Sequence, residues 1–261
     1  MSEPPFRFSR SGAVLEVTLT RGKANAIDAE TSRLLGGVFA RFRDDPDLRV
    51  ALLASGNPRF FSAGWDLKAA AAGEPPDADY GVGGFGGLQA LPGLNKPVIA
   101  AVNGMCVGGG FEMALAADLI LAAEDARFAL PEIRAGTLAD AATLKLPRRI
   151  PWHVAMDLLF TGRWMDAAEA RQFGLVSEVV PAAGLLARAR ELAQTLANGP
   201  SLVFAAIKEV ARESEGLAFA DALARIAERR YPSVARLYAS RDQAEGARAF
   251  AEKRPPVWKG Y

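Results

Sequence analysis

"VNGMCVGGGFEMALAADLIL", residues 102–121, sets three consecutive glycines, Gly108 to Gly110, ahead of a carboxylate, Glu112, and an almost wholly apolar run. The segment before it, "KPVIAAVNG" (96–104), is a short apolar run ending in glycine, as buried parallel strands do. The glycines read as a tight strand-to-helix turn, or as a place where backbone comes close to something else. Beyond them, "DLILAAEDARFALPE" (118–132) reads as two short strands joined by a turn at Glu124–Asp125. Strands alternating with helices in this way predict an α/β fold.

The same pattern extends outward. "AVLEVTLT" (13–20) alternates apolar and polar residues as a strand does, and "RVALLASG" (49–56) is another apolar run ending in glycine. Between them, residues 28–45 place Leu34, Leu35, Val38, Phe39 and Phe42 on one helical face, with Asp28 as the N-cap. "AAGEPPDADYGVGGFGG" (71–87) is rich in Gly, Pro and Asp and predicts a mobile loop of functional length. From about Asp166 the chain reads as helical, with helices over 201–213 and 217–230 and no returning strand pattern. The expected division is a core over 1–198 and a helical region over 199–261. Pattern alone leaves open whether the latter packs on its own core or on another subunit. No period of twenty to fifty residues repeats visibly.

Composition removes several function classes. Thirty-one basic residues balance thirty acidic ones, which is not the footprint of a nucleic-acid binder. One cysteine, Cys106, excludes an internal disulfide, and with one histidine, His153, a zinc site is not expected. Cys106 is expected to pack as a small apolar residue. The N-terminal residues show no signal-peptide pattern and no segment has the length of a membrane span, so a cytoplasmic protein is expected.

"GMCVGGGFE" lacks the Lys-Ser/Thr of a nucleotide-binding phosphate loop and the G-x-G-x-x-G spacing. Free backbone N–H groups at a helix start instead suit an oxyanion hole, where preorganised donors meet charge developing on a carbonyl oxygen. "FFSAGWDL" (60–67), again a strand running into a small-residue turn, is a second donor candidate. Glu112 and Glu132, the latter in "FALPE", both sit in apolar surroundings that raise a carboxyl pKa. Two such acids can act as general acid and base. A serine nucleophile is not supported: there is no G-x-S-x-G, and His153 reads as a surface or packing residue.

Taken together, "FFSAGWDL", "KPVIAAVNG", "GGGFEMALAAD" and "FALPE" resemble the crotonase, or enoyl-CoA hydratase/isomerase, superfamily in order and spacing over nearly the whole chain. "KANAID", "FRDDPDLRVA", "PDAD", "YPSV" and "AFAEKRPPVWKG" are similar to its carnitinyl-CoA dehydratase branch. The resemblance implies a spiral of repeated ββα units followed by C-terminal helices that assemble trimers or hexamers. It implies an acyl-CoA thioester as substrate, with no cofactor beyond the coenzyme A that the substrate carries. It also implies reversible hydration, most specifically of crotonobetainyl-CoA to carnitinyl-CoA. The alternatives are a general enoyl-CoA hydratase and a non-catalytic CoA- or RNA-binding relative. By the same resemblance Glu112 and Glu132 are the catalytic pair, and the N–H groups of Trp65 and Gly109 form the oxyanion hole. Ala63, Asp66, Leu67 and Lys68 line the CoA thioester.

One stretch departs from the family. Hydratases carry Gly-x-x-Pro-x-x-Gly-Gly where this chain reads "GTLADAAT" (136–143), so Ala139 replaces Pro, and Ala142 and Thr143 replace the glycine pair. The change bears on the acyl group and on the placing of Glu132, and Asp140 is a polar group that caps a helix or meets substrate. A trimethylammonium substrate favours an aromatic cage, for which Trp65, Phe85, Trp152 and Trp164 are candidates. Lys253 and Lys259 could meet CoA phosphates or form an exposed basic tail.

Overall fold

A computed structural model describes residues 4–261. Among the described residues, twelve strands form the framework. The first six are β1 (Phe6–Ser11), β2 (Val14–Leu19), β3 (Ala26–Ile27), β4 (Val50–Ser55), β5 (Phe60–Ser62) and β6 (Gly64–Trp65). The rest are β7 (Val98–Val102), β8 (Met105–Val107), β9 (Leu119–Ala123), β10 (Arg127–Ala129), β11 (Met165–Asp166) and β12 (Glu178–Val180). The large sheet has the order β1-β2-β4-β7-β9-β12, parallel from β2 onward, and the second has the order β11-β10-β8-β5. Each turn of the chain thus adds one strand to each sheet: β4 then β5, β7 then β8, β9 then β10. This is the ββα spiral, and it confirms the α/β expectation.

The expected strands at 13–20, 49–56, 96–104 and 118–132 appear as β2, β4, β7 and the β9–β10 pair. β4 and β7 are buried on both faces, which is why they read as unbroken apolar runs rather than alternating ones. Helix α1 (Ala29–Asp44) begins where expected, with Asp28 accepting the Thr31 N–H at 2.8 Å. Leu35, Val38, Phe39 and Phe42 are buried, but Leu34 is exposed, because it sits at the edge of the apolar stripe. Helix α2 (Leu67–Ala71) follows β6 directly, and α3 (Gly109–Leu115) follows β8.

Two expectations need correction. A strand does return after residue 166, for β12 extends the large sheet beside β9, and β11, at the boundary itself, pairs antiparallel with β10. Strands of two and three residues are too short to show a period. The 71–87 segment is not a free loop either. Glu74 accepts the Trp65 indole N–H at 2.8 Å, and Arg33 donates to the Asp79 carbonyl at 2.6 Å. The Tyr80 ring meets Phe85 edge-on. Its glycines allow it to press on α1, where a side chain at Gly87 would lie 2.4 Å from the Gly36 nitrogen.

After β10 come α4 (Glu132–Ala135), α5 (Asp140–Lys145), α6 (Trp152–Thr161), α7 (Ala167–Gln172) and α8 (Leu185–Ala197). α8 packs across β4 and β7. From Ser201 the chain is helical: α9 (Ser201–Glu213), α10 (Phe219–Ala227), α11 (Pro232–Ala239) and α12 (Glu245–Ala251). A small cluster of Ala206, Tyr231 and Val234 lies apart from the main core. No helix among the described residues is long and apolar enough to cross a membrane.

Candidate active site

The site forms where β6 and the start of α3 meet backbone to backbone. Gly64 has φ +81°, and a Cβ there would lie 2.7 Å from the Gly109 nitrogen and from the Val107 carbonyl oxygen. Only glycine permits both the conformation and the approach. A buried relay holds this turn: the Gly64 N–H donates to Ser62 Oγ, and that hydroxyl donates to the Asn25 carbonyl at 2.7 Å. Along β6 the Asp66 N–H donates to the Ile27 carbonyl, so the preceding Trp65 N–H points away from β3.

Each of the three glycines at α3 answers to a different neighbour. At Gly108 (φ +54°) a Cβ would lie 2.7 Å from Glu132 Oε1. At Gly109 it would strike Phe85 Cε1 at 2.4 Å, and at Gly110 the Ser62 carbonyl oxygen at 2.4 Å. Gly108 is the N-cap and Gly109 the first helical residue, so the Gly109 N–H belongs to the first turn, whose donors have no partner within the helix. The run is therefore a junction of carboxylate, aromatic ring and strand.

Glu112, the fourth residue of α3, is 8% exposed, and its Oε1 accepts the Ala142 N–H at 2.9 Å. Burial raises its pKa, with Asp140 adding to the rise and the N–H groups of Ala142 and Ala141 opposing it. Glu132 opens α4 directly after Pro131, and its Oε2 is buried with no hydrogen-bond partner. Burial lifts its pKa to about 7, and the nearby Glu112 charge pushes in the same direction. The two acids are thus brought together but held differently: a donor from α5 braces Glu112, while one oxygen of Glu132 is left without a partner.

The altered turn is legible in this geometry. Ala139 and Ala142 are buried, and Ala142 supplies the N–H that braces Glu112. The departure from the glycine pair therefore bears directly on Glu112, while the start of the same turn holds the Glu132 carbonyl through the Gly136 and Thr137 N–H groups. A backbone donor survives replacement of glycine by alanine because it needs no side chain.

The remaining candidate residues differ in availability. Ala63 is held through its N–H to the Ala24 carbonyl, while Leu67 and Lys68 are exposed. Asp66 caps α2 through the Lys68 N–H at 2.9 Å and accepts Arg21 Nη1 at 2.6 Å. Burial works against its charge, but Arg21 and the Lys68 N–H hold its pKa below the usual carboxylate value. Arg21 also pairs with Asp28 and so ties the start of α1 to the start of α2. A cavity of about 760 Å³ beside this network is lined by Lys23, Lys68 and Arg21. Sequence reading missed Arg21 and Glu74, because each joins a near partner to one 45 residues away, which no local pattern records.

Of the aromatic candidates, Trp65 and Phe85 border the glycine turns. Trp164 lies under the Arg127 guanidinium, 5.5 Å from ring centroid, and Trp152 is exposed at the start of α6. Cys106 is fully buried, as expected, and His153 is exposed. Lys253 and Lys259 are exposed, on a tail that Arg49 holds through the Trp258 carbonyl at 3.0 Å.

The sequence model of the enoyl-CoA hydratase/isomerase family matches residues 9–261. This chain belongs to that family. It is 53% identical to a carnitinyl-CoA dehydratase of Citrobacter koseri and 52% identical to one of Salmonella typhi, each over 100% of both chains. Among solved structures, an enoyl-CoA hydratase from Mycobacterium tuberculosis H37Rv superposes with TM-score 0.90 at 37% identity, covering 99% of this chain and 100% of that one. The family fold and the spiral described above agree.

Proposed function

We propose that this protein is a hydro-lyase that interconverts crotonobetainyl-CoA and carnitinyl-CoA. The observation that carries the reading is the unequal pair of carboxylates beside the Trp65 and Gly109 turns. The thioester oxygen takes hydrogen bonds from those two N–H groups, and one such donor is typically worth about 3–4 kcal/mol as negative charge develops. Glu112, braced by Ala142, holds the better carboxylate and removes a proton from the water that attacks Cβ. The double-bond electrons move to the thioester oxygen as an enolate. Glu132, unbraced and with its pKa near 7, carries the proton that is delivered to Cα as the enolate collapses. Dehydration reverses each step with the protonation states exchanged.

In this reading Lys23 and Lys68, which line the cavity beside Asp66, meet the CoA phosphates, and Ala63 and Leu67 line the thioester. The reaction needs no cofactor beyond the coenzyme A of the substrate, and we place it in the cytoplasm. Exposed Phe219, Leu223 and Phe250 on α10 and α12 favour assembly into trimers or hexamers through residues 199–261.

The relatives' names, at 52–53% identity over the full chain, support the carnitine-type substrate over a simple acyl chain. The test is to incubate the pure protein with crotonobetainyl-CoA and with crotonyl-CoA and follow loss of the conjugated thioester absorbance. A preference for the first is expected. Preference for crotonyl-CoA would make this a general enoyl-CoA hydratase, and inactivity on both would overturn the hydratase reading.

A further inference from the structure

We propose that Tyr80 and Phe85, together with the carboxylate of Asp140, form a subsite for a positively charged group on the acyl chain. This rests on the reading of the site as one for acyl-CoA thioesters. The Phe85 ring lies against Gly109, close enough that a Cβ at that glycine would meet Cε1 at 2.4 Å. It therefore borders the residue whose N–H is assigned to the thioester oxygen. Tyr80 meets Phe85 edge-on, with centroids 5.3 Å apart and planes at 73°. Both rings are only half-buried, so part of their electron-rich surface remains open.

Asp140 is the first residue of α5, two positions before the Ala142 N–H that binds Glu112. Its charge acts on Glu112 and also on the Tyr80 hydroxyl, so it is near enough to both to be felt by each. Glu74 and Asp77 act on Tyr80 as well. Among the described residues none of these three carboxylates forms an ion pair. The nearby cations are engaged elsewhere: Arg33 donates to the Asp79 carbonyl, and Lys145 donates to the Gln89 side chain at 3.1 Å. Aromatic surface alone would accept a neutral alkyl chain, but beside unpaired carboxylates it offers a cation more. It suits a quaternary ammonium, which forms no hydrogen bonds and is held by ring faces and by carboxylates at a distance.

The test measures binding of two non-reacting ligands, so it does not depend on turnover. One is the CoA thioester of a saturated four-carbon acid ending in trimethylammonium. The other is its neutral isostere, with tert-butyl in place of trimethylammonium. The wild-type protein is expected to bind the cationic ligand roughly tenfold more tightly, in the range that cation–π and charge contacts supply. Asp140→Asn and Tyr80→Leu should each bring that ratio close to one. Asp140 is exposed, so its variant tests the point even where Tyr80→Leu disturbs the fold. No cation preference in the wild type, or a preference unchanged in Asp140→Asn, would overturn the proposal. A protein with the preference that fails to hydrate crotonobetainyl-CoA would keep this subsite and lose the reaction assigned above. A protein that hydrates it without the preference would do the reverse.

Discussion

Replacing Glu132 by glutamine should stabilise the fold at alkaline pH while abolishing turnover. The Glu132 Oε2 is buried without a partner, and burial lifts the carboxyl from the ordinary 4.5 to about 7. A carboxyl with a higher pKa folded than unfolded binds more protons in the folded state across that interval. Its stabilising contribution is therefore fully present below pH 4.5 and is lost as pH rises through about 7. At about 1.4 kcal/mol per pH unit, the loss integrates to about 3 kcal/mol. Glutamine has nearly the same shape and no charge to desolvate, so Glu132→Gln should avoid most of that loss. Urea unfolding of both proteins, at equal concentration and at pH 5 and pH 8, reads the difference directly. The variant should gain little at pH 5 and on the order of 2–3 kcal/mol at pH 8, while turnover falls by at least about 100-fold. A variant that is equally or less stable than wild type at pH 8 would refute desolvation as the cause of the raised pKa.

Hydration starts from ionised Glu112 with protonated Glu132 and dehydration from the reverse, which are two arrangements of the same single proton on the pair. Because hydration takes up no net proton, kcat/KM in both directions should share one pH profile and fall as pH rises through about 7, where Glu132 loses its proton. A kcat/KM that is unchanged or still rising between about pH 7 and about pH 9 would remove Glu132 as the proton carrier. Gly109→Ala should lower kcat on the order of 100-fold, because the new methyl meets Phe85 Cε1 at 2.4 Å and must displace either the ring or the donor. Adding Phe85→Leu should recover part of that loss, and no recovery would place the damage elsewhere.

Much of the fold was readable because its strands and first helix carry strong local signals. β4 and β7 are apolar runs ending near glycine, and α1 has both its cap and its stripe. β11 and β12 were not readable, because two or three residues paired to distant strands carry no period. The spiral repeats in space without repeating in sequence. Each turn needs only an apolar strand at the right distance, which many side chains satisfy. The 71–87 segment was misread as mobile because composition reports backbone freedom and not the partners that remove it: Trp65, Arg33 and α1.

The sequence by itself determined that Glu112 would lie at a glycine turn in apolar surroundings, and its resemblance to a family paired that residue with Glu132 and the Trp65 and Gly109 donors. Tertiary structure decided how the two acids differ. A donor from α5 braces Glu112, Gly108 seats Glu132 with one oxygen unpartnered, and Phe85 closes on Gly109. Local pattern records which groups are present. Which of two buried carboxylates keeps its proton depends on hydrogen-bond donors and charges that arrive from elsewhere in the chain.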